Sequence, residues 1–177
     1  MTKQLPGLKI TRADAISLEA ARPRSRNITH SSSMQLTRAA DYALRALIYL
    51  ATRPAAERAL LPELAHATAA PESFLSKVLQ CLCRAGLAAS HRGQFGGFEI
   101  LPAGRAATVA AVIESIEGPI SLNACVNSEL SCTRKSFCPA HPVWVEAQAA
   151  MLAVLNARTI ADLAAHPPSE QCSRNRF

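Results

Sequence analysis

The chain has 177 residues, 49% of them hydrophobic and 18% charged, with 19 Lys and Arg against 13 Asp and Glu for a net charge of +6. Such a composition supports one compact core, with room for an attached helix, and argues against a chain that is disordered throughout. No apolar run approaches the ~20 residues of a membrane span, and residues 1–33 lack the apolar segment of a signal peptide, so the expected compartment is the cytoplasm. There, six cysteines are expected as thiols or metal ligands rather than as a disulfide framework.

The charge is unevenly placed. Residues 1–33 hold six basic residues (Lys3, Lys9, Arg12, Arg22, Arg24, Arg26) against Asp14 and Glu19, a net of +4, which leaves +2 for the remainder. Bulk basicity is therefore weak evidence of nucleic-acid binding by the folded part. This first segment has no helical or strand period and ends in "RPRSRNITHSSS". It reads as a disordered extension or a start assigned too early, with a basic DNA-touching arm as the alternative.

Order is expected from Met34. In "TRAADYALRALIYLATR", Thr37 is a suitable N-cap, and Ala40, Ala43, Leu44, Leu47, Ile48 and Ala51 recur at helical spacing up to Pro54. "LPELAHAT" predicts a short second helix opened by Pro62, with Leu64 and Ala65 inward. After a turn at Ala69-Ala70 comes the clearest helix, "PESFLSKVLQCLCRAG", opened by Pro71 and closed by Gly86. Leu75, Val78, Leu79 and Leu82 form its inward stripe; Ser73, Ser76, Lys77, Gln80 and Arg84 form its outer face. Helix, tight turn and a second helix with a small-polar, basic face make a helix-turn-helix, whose second helix suits the major groove.

"LAASHRGQFGGFEIL" then predicts two strands around a Gly-rich turn from Gly93 to Gly97, with Arg92 at the shoulder. Any three-helix core resembles a helix-turn-helix, but an arginine-tipped hairpin directly after it turns the pattern into a winged helix. Lys77 and Arg92 suit phosphate or minor-groove contact, and Ser73, Ser76 and Gln80 have the reach for base edges. Within the recognition helix, Cys81 is expected in the core, and Cys81 and Cys83, two residues apart, cannot grip one metal together.

"TVAAVIESIEG" predicts a further helix through Val109, Val112, Ile113 and Ile116. The next stretch, "CVNSELSCTRKSFCPAH" at 125–141, has no apolar period and should form a surface loop carrying Cys125, Cys132, Cys138 and His141. Three thiols on one loop suit an iron-sulfur cluster with a weaker fourth ligand. The same four side chains suit a structural zinc site, although six and then five intervening residues lack the close Cys-x-x-Cys knuckle common in zinc modules. A metal-free thiol-disulfide switch is a third reading. Pro142 starts a long helix in which Trp144, Ala147, Met151 and Leu155 share a face that Gln148, Ala149 and Leu152 widen, a stripe long enough to pair with a second copy. "TIAD" at 159–162 is a capping-box pattern for a last short helix. From His166 the tail, with an incidental Cys172, is expected to be disordered.

Three segments, "MQLTRAADYALRALIYLA", "FLSKVLQCLCRAGLAASHRGQFGGF" and the three-cysteine loop, together resemble the Rrf-two family of bacterial winged-helix regulators, from Met34 to about Ala165. The resemblance implies a mainly α fold with a β-hairpin wing. It divides the chain into a DNA-binding domain at 34–105, a cluster loop with a dimerisation helix at 106–165, and a tail at 166–177. It also implies a homodimer on double-stranded operator DNA, expected to act as a repressor, with an iron-sulfur cluster responding to nitric oxide, iron or redox state. The ligands it implies are Cys125, Cys132 and Cys138. The fourth would be His141, three residues after the last cysteine, or Asp41 from the first helix of the partner subunit. Two-iron and four-iron types both stay open. The rivals are a zinc-stabilised or thiol-based winged-helix regulator and a small iron-sulfur electron carrier or enzyme subunit. Against the last, the chain has no Gly-rich cofactor fingerprint and no nucleophile-base arrangement, so no catalytic residue and no enzyme activity is expected.

Overall fold

In a computed structural model of the chain, residues 36–93, 96–127 and 132–166 are described. The chain divides into units Met1–Ser33 and Met34–Phe177. The expectations for 1–33, for the wing tip at 94–95 and for the tail with Cys172 lie outside the described residues, as do 128–131 within the cysteine loop. The described elements are α1 (Arg38–Ala51), α2 (Leu61–Thr68), α3 (Glu72–Arg84), β1 (Ala88–His91), β2 (Gly97–Ile100), α4 (Pro102–Ala106), α5 (Val109–Glu117), α6 (His141–Asn156) and α7 (Ile160–Ala165).

Helix α1 lies at the centre, packed on α2, α3, α5 and α7. Ala40, Ala43, Ala46, Leu47, Leu50 and Ala51 are its buried residues. The alanines allow close approach of neighbouring helices, and the leucines supply apolar area at about 1.5–3 kcal/mol per buried side chain. Leu44 and Ile48, expected inward, lie half-buried at the margin. As expected, Thr37 caps α1, accepting from the Ala40 N–H at 3.3 Å. Its own N–H and hydroxyl both donate to Glu117 Oε1, at 2.9 and 2.8 Å, so the end of α5 holds the start of α1.

The α1–α2 link is polar. Glu63 accepts from the Tyr49 hydroxyl at 2.6 Å and pairs with Arg53, whose guanidinium also lies over the Tyr49 ring and pairs with Glu57 at 2.8 Å. The Tyr49 hydrogen bond first, and then Arg53, hold the Glu63 carboxyl below the usual range against the opposing effect of burial. Pro62 stands one residue inside α2 rather than at its first position. Ala69 makes the turn into α3 in the left-handed conformation, φ 54°.

The inward stripe of α3 is Leu75, Val78, Leu79 and Leu82, as the periodicity predicts. Its end is a Schellman motif: Leu87 N–H donates to Leu82 O at 3.0 Å and Gly86 N–H to Cys83 O at 3.1 Å, with Gly86 at φ 72°. Cys81 is a correction. It is half-exposed and accepts from Arg84 Nη2 at 3.0 Å, whereas Cys83 packs against the core. Two positions apart on a helix, both flank the leucine stripe, and burial pushes the Cys83 thiol up while a Ser90 hydrogen bond opposes it.

Strands β1 and β2 pair antiparallel from Ala88↔Ile100 to His91↔Gly97. Two features here were not read from the sequence. Ala59 adds a rung to the far side of β2, exchanging hydrogen bonds of 2.9 Å in both directions with Phe98. A Cβ at Gly97 (φ 135°) would meet Ala59 O at 2.7 Å, so this approach requires glycine. Second, α4 presents Arg105, which donates to Ala51 O and Arg53 O, each at 2.8 Å, and so satisfies carbonyls at the end of α1. Helix α5 is capped by Thr108, which accepts from Ala111 N–H at 3.1 Å. The TIAD segment forms the capping box of α7, with Asp162 N–H donating to Thr159 Oγ1 at 3.1 Å and Thr159 N–H to Asp162 Oδ2 at 2.9 Å.

The Arg105→Met variant keeps the aliphatic stem but leaves two carbonyls without their charged donor. It should lose about 2 kcal/mol of stability, seen as a lower urea midpoint at unchanged slope.

Candidate functional site

On α3, Ser73, Lys77, Gln80 and Arg84 are exposed and Ser76 is half-buried, so the outer face expected from the sequence is present. Leu75, Val78, Leu79 and Leu82 fix this orientation, because their burial leaves the opposite side of the helix to solvent. Phe74 joins the exposed side at its N-terminal end and makes an edge contact with Tyr42 of α1, ring centres 5.8 Å apart.

Arg92 follows the last residue of β1 and is exposed. Beside it the wing carries charge that the sequence did not reveal. His91 Nε2 lies 2.9 Å from Glu99 Oε1, and Arg58 Nε lies 3.8 Å from Glu99 Oε2. Arg58 reaches the wing because its neighbour Ala59 pairs with Phe98, a contact between distant parts of the chain that no local pattern marks.

The cysteine segment runs between α5 and α6. Cys125, Cys132 and Cys138 are free, half-buried thiols. Local turns shape the described parts: Lys135 N–H donates to Cys132 O at 3.2 Å, Phe137 N–H to Arg134 O at 3.2 Å and His141 N–H to Cys138 O at 3.1 Å. Phe137 projects with 70% of its surface exposed. His141 is the first residue of α6 rather than the last of a loop, and its Nδ1 is buried with no hydrogen-bond partner. Asp41, the alternative fourth ligand, forms a two-bond pair with Arg45, Oδ2–Nη2 at 2.8 Å and Oδ1–Nε at 3.1 Å, its side chain 45% exposed. Such an exposed pair contributes only about 0.3–0.5 kcal/mol, so it is easily exchanged for another partner.

Among the described residues, no three Cys, His, Asp or Glu side chains are gathered closely enough to hold a metal ion. The chemistry of the donor set nonetheless fits an iron-sulfur cluster: three free thiols and an orphaned imidazole nitrogen belong to one short segment. A tetrahedral zinc site draws on the same set.

A helix-turn-helix completed by a β-hairpin defines a winged-helix DNA-binding protein. The Rrf2 (Rrf-two) family model, described as an iron-dependent transcriptional regulator, matches residues 36–166, and the chain belongs to that family. It is similar to the HTH-type transcriptional regulator NsrR of Halalkalibacterium halodurans, 33% identical over 131 residues covering 73% of this chain and 90% of NsrR. Among solved structures it is similar to CymR, the global cysteine regulator of B. subtilis, with a TM-score of 0.61 and 27% identity over 76% of this chain and 98% of CymR. The T. potens IscR structure, at 21% identity and a TM-score of 0.57 over 78% of this chain and 96% of IscR, shares the fold. The protein is thus a transcriptional regulator and not an enzyme. Among the described residues, no helix is long and apolar enough to cross a membrane.

Proposed function

We propose that this regulator is a cytoplasmic homodimer, acting as a repressor, whose grip on operator DNA is set by an iron-sulfur cluster held by Cys125, Cys132, Cys138 and His141. The observation that carries the reading is the single segment that brings three free thiols and a buried, unpartnered His141 Nδ1 into a winged-helix regulator. The family's description as iron-dependent supports it. His141 is favoured over Asp41 of the partner subunit because it stands on the same short segment as the three thiols and its buried Nδ1 has no hydrogen-bond partner. When bound, the cluster supplies an iron centre open to nitric oxide, iron supply or redox change.

The chain's own residues do the rest. Thiols that lose their protons to ligate order the 125–141 segment, which leads directly into α6. Lys77 and Arg92 contact phosphate, while Ser73, Ser76 and Gln80 face base edges. A hundredfold change in operator affinity needs only ~2.7 kcal/mol of coupling, well within what ligation of a loop supplies. A second reading, a thiol switch or zinc site, draws on the thiols being free and not gathered among the described residues.

Dimerisation is supported by α6. It has no buried residue and leaves Val143, Val145 and Val154 exposed, the last at 70%. Large apolar side chains left to solvent on both flanks of a helix favour a further partner, and a second copy is the economical one.

Three outcomes are expected. Lys77→Ala and Arg92→Ala should each weaken binding across operator variants alike and lower the slope of log K against log salt by about 1, in titrations followed by anisotropy. Protein purified without oxygen should be coloured and contain iron and acid-labile sulfide, and Cys132→Ala should bleach it and alter operator binding; a colourless zinc protein would favour the second reading. Val154→Glu should raise the dimer dissociation constant by about a hundredfold in sedimentation equilibrium, because the new charge is desolvated at the interface.

A further inference from the structure

The segment that joins α5 to the first cysteine is tied down at two places. At one end, Gly118 leaves α5 at φ 82°, ψ −170°, a conformation reserved for glycine, and Glu117 just before it holds the N-cap of α1 through Thr37. Beyond Gly118, Gln148 of α6 uses both arms of its amide. Its Oε1 accepts from Leu122 N–H at 2.9 Å and its Nε2 donates to Ile120 O at 2.7 Å. Glu114 Oε1 adds a weaker bond from Ile120 N–H at 3.4 Å. Leu122 stands three residues before Cys125.

Gln148 shares the half-buried face of α6 with Ala147, Met151, Leu152 and Leu155. An apolar residue would pack there at least as well, since a primary amide placed among aliphatic side chains loses its water. Its two bonds to the backbone offset that loss, and they define what the side chain does: it fixes on α6 the register of residues 120–122, which lead into the cysteine segment. We infer that Gln148 is a positioning residue that transmits the state of the 125–141 segment to α6. A change of order at the cysteines displaces Ile120 and Leu122, and with them the helix that carries the exposed Val143 and Val154. The inference rests on the reading of that segment as the sensing element.

The test uses the full chain, oxygen-free, as the native protein, Gln148→Leu and Gln148→Glu. Glu keeps the acceptor for Leu122 N–H and loses the donor to Ile120 O; Leu keeps neither. Each protein is titrated with zinc(II) alone and, separately, with ferrous iron plus sulfide. The readouts are metal stoichiometry, operator affinity and the emission of Trp144, the sole tryptophan, one turn before Gln148 on α6.

In the native chain, zinc(II) should shift both the emission and the operator affinity. Gln148→Leu should bind zinc with the same stoichiometry while both responses fall to less than about a tenth, and Gln148→Glu should lie between. A full native response in Gln148→Leu, or in Gln148→Glu should the first not fold, overturns the inference. If zinc gives the expected pattern while iron and sulfide never bind, the cluster reading fails and the role of Gln148 stands. A native chain whose emission and affinity ignore both additions leaves Gln148 nothing to transmit and overturns the inference as well.

Discussion

The fold depends on the burial of one face of α1. Ala40, Ala43, Ala46, Leu47 and Leu50 are at or near zero exposure, and α2, α3, α5 and α7 all pack on this helix. Small residues at the contact bring the partner helices close, and close packing is what makes the orientation of α3 definite rather than approximate. The polar ends of α1 are used as well. Glu117 holds its first turn and Arg105 the carbonyls at and just beyond its last residue, so both termini are bonded to elements that follow the wing in sequence. A regulator that must present a recognition helix at a fixed angle gains from having its central helix gripped at each end.

The wing is built less from its own hairpin than from what supports it. Two four-residue strands are a marginal unit in isolation. The rung to Ala59, the burial of Ala88 and Ile100, and the close seating of Gly104 on Leu87 O attach the hairpin to the core. The same rung places Arg58 opposite Glu99, with His91 on the other side of that carboxylate. The wing therefore presents an arginine at its shoulder and the Arg58–Glu99 pair behind it, supported from the link between α1 and α2.

Beyond the wing, the chain changes character. Helix α5 contributes Val112 and Ile113 to the core, whereas α6 contributes no fully buried residue. Between them local turns shape the described parts of the cysteine segment, and Gln148 holds the residues that lead into it. Among the described residues of 125–141 no side chain is fully buried, so little packing there opposes a change of conformation. Fully buried side chains are concentrated around α1, whereas among the described residues none of the three thiols on this segment is fully buried.

The sequence alone determined the elements whose information is local. The leucine period of α3, the Thr37 and Thr159 caps, Gly86 at the end of α3 and the hairpin over 88–100 were all legible, because helical and strand periods and cap chemistry act within a few residues. So were the outward Lys77 and Gln80, which follow from the inward leucines. Tertiary structure decided what joins distant positions: the Ala59 rung, Arg105 on the end of α1, Cys83 rather than Cys81 against the core, and His141 inside α6 with a buried nitrogen. Gln148 is the plainest case, since in the sequence it only interrupts an apolar stripe. Its role depends on where a loop more than twenty residues earlier passes over the helix, and one-dimensional spacing holds no record of that approach because it is set by the packing of α5 on α6.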